Sequence, residues 1–123
     1  MVFLLSACQV ISPIFVNYNG VRMDVAKWIN HQPFMTMQQK RSLVELSKAQ
    51  QKLKRFPEYD HAKQLEITKQ NQIAMYCAER IVTEHKIKQL QHQIYAEELD
   101  LVLGQYNKLA PKIPLESSQI KCD

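Results

Sequence analysis

The side chains able to do chemistry are sparse and scattered. Four histidines stand at positions 31, 61, 85 and 92. His85 and His92 are seven apart, and neither has a histidine or acidic partner in an HExxH-type spacing, so zinc is not expected. No Cys-x-x-Cys occurs, which removes thioredoxin-like redox chemistry and zinc knuckles. The two glycines, Gly20 and Gly104, lie far apart, so no glycine-rich phosphate loop can be built. Ser42 and Ser47 fall in a helical pattern, on what reads as its exposed side, and not on a strand-to-helix elbow. Glu97, Glu98 and Asp100 are explained by the positive end of a helix dipole. Glu79 and Glu84 are five apart and diverge around a helix. No catalytic site, metal site or cofactor is expected, and the chain reads as a non-enzyme.

One cysteine has a context. The chain opens "MVFLLSACQV", an apolar run closed by small residues, and Leu5-Ser6-Ala7-Cys8 resembles the bacterial lipobox. In that motif an aliphatic residue and two small ones precede a cysteine that receives lipid. The apolar run lacks the positive residues that precede a signal segment, as if translation began upstream. The resemblance implies a truncated signal over residues 1–7, lipid on Cys8 and a tether over residues 8–20. Pro13, Asn17, Asn19 and Gly20 suit a tether better than a helix. Gln9 is not the aspartate that favours inner-membrane retention, so the outer membrane, facing the periplasm, is the expected address. Several acyl chains on one residue hold a protein to a bilayer without a spanning helix. No stretch reaches the ~18 consecutive apolar residues that such a helix needs.

The elements behind these residues are helical. Hydrophobic residues make up 46% of the 123 residues and charged ones 23%, a globular composition. Scarce glycine argues against a sheet built from hairpins, and the middle is rich in helix formers. Val21, Val25, Trp28 and Ile29 make one stripe of a short helix that Pro33 ends. Trp28 is read as the anchor of that helix. Thr36 and Gln39 form a capping-box pattern. The helix they open buries Leu43, Leu46, Ala49, Leu53 and Phe56, carries Lys40, Ser47, Gln51 and Lys54 opposite, and stops at Pro57. A second long helix runs from Asp60 to near His85, with Ile67, Ala74, Cys77, Ala78 and Ile81 as its stripe, and Gln70 and Asn71 diluting it. Ile87, Leu90 and Ile94, then Leu99, Val102, Leu103, Tyr106 and Leu109, mark the rest. Pro111 and Pro114 leave a tail over residues 111–123. The expected fold is all-α, a small antiparallel helical bundle over residues 21–110 behind an extended tether.

"VRMDVAKWINHQPFM" and "MYCAERIVTEHKIKQLQ" are similar to segments of small uncharacterised helical lipoproteins of Gram-negative bacteria. That resemblance supports the address and implies no activity. If Cys8 carries lipid, two cysteines remain, Cys77 and Cys122. An even pair in an oxidising compartment is expected to form a disulfide, fastening the tail across the second long helix.

Three functional classes compete. The favoured one is a lipid-anchored envelope module that meets the membrane through its anchor and an envelope protein through Phe15, Tyr18 and Phe34. The second is a cytoplasmic protein that binds nucleic acid through Lys48, Lys52, Lys54 and Arg55, given a net charge of +4. No aromatic residue interleaves that patch to stack bases, so a solvated face is the simpler reading and no nucleic acid is expected. The third is a ligand carrier or small enzyme, which a cavity lined by convergent polar groups would promote.

Overall fold

A computed structural model describes residues 20–122. Cys8, Phe15 and Tyr18, with the signal segment and nearly all of the tether, lie outside the described residues. Among the described residues there is no strand. The α-helices are α1 (Met23–Asn30), α2 (Met37–Gln51), α3 (His61–Ile81), α4 (Glu84–Tyr95) and α5 (Leu99–Leu109). Short 3₁₀ segments occupy Lys52–Glu58, Ala96–Glu98 and Ser117–Gln119. None of the helices is long and apolar enough to cross a membrane.

Side chains that satisfy the first free N–H groups set the helix starts. Thr36 opens α2 with a complete capping box. The Gln39 amide N–H donates to Thr36 Oγ1 at 3.1 Å, and the Thr36 N–H donates to Gln39 Oε1 at 2.8 Å. Asp60 opens α3, accepting from the Lys63 N–H at 2.8 Å. Thr83 opens α4 in the same way, accepting from the Lys86 N–H at 3.1 Å.

That last cap corrects an expectation. The helix from Asp60 stops at Ile81, short of His85, because Val82 and Thr83 are both extended. Two β-branched residues weaken the helix there, the Thr83 side chain offers a new start, and the break turns Val82 into the core. Pro57 is a second correction. The α-helical part of this segment ends at Gln51, and the chain tightens into the 3₁₀ turn, with Arg55 at φ −111°. A proline ring clashes with the carbonyl four residues back in an α-helix. The tighter winding still leaves Leu53 and Phe56 buried.

Helix α2 is the hub, packing on α1, α3 and α4, most extensively on α3. Leu43, Leu46 and Ala49 face the centre as the spacing predicts, and so do Ile67, Ala74 and Ala78 from α3, and Ile87, Leu90 and Ile94 from α4. Phe56 meets Tyr106 edge-on, ring centroids 5.1 Å apart, a favourable aromatic geometry. Being surrounded changes the expected polar face of α2. Ser47 is fully buried and donates to the Leu43 carbonyl at 2.8 Å. A helix gripped on several sides has no wide solvent face left for a serine to occupy.

Candidate functional site

Four features of the molecule bear on function: a buried polar cluster, a loop that displays an aromatic ring, a cysteine pair, and a groove beside that pair.

The cluster crosses the core. Gln50 Nε2 donates to Asn71 Oδ1 at 2.6 Å, and Asn71 Nδ2 donates to the Tyr106 hydroxyl at 3.2 Å. The Tyr95 hydroxyl lies 2.7 Å from the Gln50 carbonyl and 2.8 Å from Gln50 Oε1, so its one proton serves one of the two. Burial pushes the Tyr95 hydroxyl well above its ordinary titration range, keeping it a donor. These bonds tie α2, α3, α4 and α5 together. Asn71, read from sequence as a dilution of the α3 stripe, is on that stripe by register, four after Ile67 and three before Ala74. Its pairing with Gln50 makes the cluster structural, since each amide is satisfied by protein.

The loop between α1 and α2 is short and pinned on both sides. Lys40 Nζ donates to the Asn30 carbonyl at 2.8 Å, and Lys86 Nζ donates to Gln32 Oε1 at 2.6 Å. The same ammonium stands 5.7 Å from the centre of the Trp28 ring, which packs half-buried against the core as its expected anchor role requires. Within this clamp Phe34 adopts φ +61° and is fully exposed, at 102%. A non-glycine residue in the left-handed region costs about 1–2 kcal/mol. Gly20, by contrast, takes φ +66° at no steric cost where the chain joins the domain. Phe34 thus combines strained backbone with full exposure among the described residues, and residues in sparsely populated backbone regions cluster at functional sites. Of the three residues expected to meet a partner, Phe34 is the one within the described residues, and it is displayed.

Where the chain meets α4, Arg22 grips two elements. Its guanidinium donates to both Asp24 oxygens, at 2.7 and 2.9 Å, and to the carbonyls of Ile94 and Gln93, each at 2.9 Å. That hydrogen bonding holds the Asp24 carboxyl below its ordinary value.

Cys77 and Cys122 are bonded, with Cα atoms 5.5 Å apart, inside the range that a disulfide spans. The bond fastens the tail to α3, as expected. Beside it lies a groove of about 650 Å³ between α2, α3 and the tail. Sequence reasoning did not locate this groove. Its walls come from three separated segments, and only their charges, at positions 41, 80 and 121, were visible.

The basic patch is largely engaged. Lys48 pairs with Glu45 at 3.0 Å, Lys54 with Glu98 at 3.2 Å and Arg55 with Glu58 at 2.8 Å, while Lys52 donates to Gln70 Oε1 at 2.8 Å. A phosphate backbone would have to displace those acceptors. His31 Nδ1 sits 2.7 Å from the Lys27 carbonyl and His85 contacts Gln89. Among the described residues no group of three or more His, Cys, Asp or Glu could hold a metal ion. No family model, curated protein or solved structure matches the chain.

Proposed function

We propose that this chain is a lipid-anchored protein of the cell envelope, held at the outer membrane through Cys8 and facing the periplasm. Its helical domain serves there as a structural or interaction module. The observation that carries this reading is the use of the three cysteines. Cys77 and Cys122 are joined, which suits an oxidising compartment. The one left over is Cys8, the cysteine preceded by Leu5-Ser6-Ala7. In this reading the helices run antiparallel behind an extended tether, as in small lipoproteins of Gram-negative bacteria. The partner is an envelope protein that receives Phe34, with Phe15 and Tyr18 on the tether adding contacts. An exposed aromatic on a pinned loop supports that role, because rigid aromatic anchors carry much of the energy of protein interfaces.

Fractionation of native cells tests the reading. The wild-type protein should sediment with outer membranes and Cys8→Ala should appear in the soluble fraction. Wild-type protein found in the cytosol with reduced Cys77 and Cys122 would refute it.

A further inference from the structure

We propose that the groove between α2, α3 and the C-terminal tail is a binding site for a small anionic amphiphile, a carboxylate or phosphate head on an aliphatic body. The inference does not depend on the lipid anchor. The volume, about 650 Å³, falls within the 300–1,000 Å³ of small-molecule sites.

Charge selects the head group. Arg41 projects from α2, Arg80 from α3 and Lys121 from the tail, and all three line the groove. Among the described residues the one carboxylate in the wall is Glu45, and it is already paired with Lys48 at 3.0 Å. Among the described residues no carboxylate pairs with Arg41, Arg80 or Lys121. Arg80 instead stands 5.9 Å from the centre of the Tyr76 ring, a contact that leaves its N–H fork free for an anion. Ser42, also in the wall, has an Oγ cut off from solvent with no hydrogen-bond partner among the described residues. Ile73, Ala74 and Ile81 supply an apolar stretch of the same wall, so a purely hydrophilic anion would leave part of the groove unused.

The tail completes the site. Lys121 directly precedes Cys122, and the disulfide to Cys77 holds this cation in the groove that the two arginines also line. Without the bond the third charge and one wall are lost to a segment that lacks regular helix apart from Ser117–Gln119. Binding is therefore coupled to the oxidised state of the cysteine pair.

Calorimetric titration of the oxidised protein with decanoate, decyl phosphate, decanol and decyltrimethylammonium tests the proposal. Both anions should bind at least about tenfold more tightly than the alcohol, with affinity falling as salt rises, and the tighter of the two identifies the head group. Arg41→Gln combined with Arg80→Gln should weaken the anions at least about tenfold and leave decanol unchanged. Lys121→Gln, which keeps the disulfide, should weaken them severalfold, and Cys77→Ala with Cys122→Ala should do so by at least as much. Circular dichroism confirms that each variant is folded. Absence of anion binding, equal binding of decanol, or affinity untouched by loss of both arginines would overturn the assignment.

Discussion

Replacing Phe34 by glycine removes a phenyl ring from the surface and should leave the protein as stable as before, or slightly more so. Three terms decide this. The ring is fully exposed, so its removal sacrifices almost no burial. At φ +61° the phenylalanine carries the strain of left-handed backbone, about 1–2 kcal/mol, which glycine relieves. Glycine also loosens the unfolded chain, which costs about 0.4–1 kcal/mol. The balance is a gain of between zero and about 1.5 kcal/mol. By contrast, Phe56, fully buried against Tyr106, should lose about 3–5 kcal/mol on truncation to alanine. Urea unfolding followed by the fluorescence of Trp28, the single tryptophan, measures both variants. The denaturant slope should not change, since each variant exposes nearly the same additional surface on unfolding as the parent. A loss above about 1 kcal/mol for Phe34→Gly would mean that the ring is packed on something, and the display argument would fail.

Three further outcomes are expected. Joint replacement of Cys77 and Cys122 by alanine opens a link between positions 45 apart in sequence, for which chain entropy gives about 4 kcal/mol; an equal urea midpoint for variant and parent would contradict it. Asn71→Ala strands Gln50 Nε2 and removes the donor to Tyr106, and should cost about 2–3 kcal/mol, read as a lowered midpoint; a change under about 0.5 kcal/mol would show that the cluster is dispensable. The Asp24 carboxyl titrates below its ordinary 3.8 in the folded protein, so the stability it contributes is present above that value and is lost as pH falls below it. Because the pair with Arg22 is largely exposed, the effect is under about 1 kcal/mol, and Asp24→Asn should flatten the stability profile in that acid window alone.

Much of the helical architecture was legible because it rests on local rules. The Thr36–Gln39 box, the Asp60 cap and the apolar spacing of Leu43 to Phe56 act within a turn or two, and each is found where the residues put it. The break at Val82 was hidden, since apolar residues continue on both sides of it and the Thr83 cap that starts the next helix lies inside a helix-compatible stretch. Ser47 was misplaced for a different reason. Which side of α2 meets solvent depends on how many helices crowd it, a tertiary fact. The pairing of Cys77 with Cys122 could be reached by counting cysteines once Cys8 was set aside. The groove could not, because Arg41, Arg80 and Lys121 belong to separate segments whose convergence only the packed structure displays.

Mass spectrometry of the N-terminal peptide, with labelled palmitate fed to native cells expressing the gene from its own locus, addresses the anchor most directly. The mature chain should begin at Cys8, carry acyl groups on that residue, and lose all label in Cys8→Ala. An unmodified Cys8 within an uncleaved chain, or label that persists in the variant, would contradict the proposed place of this protein in the cell envelope.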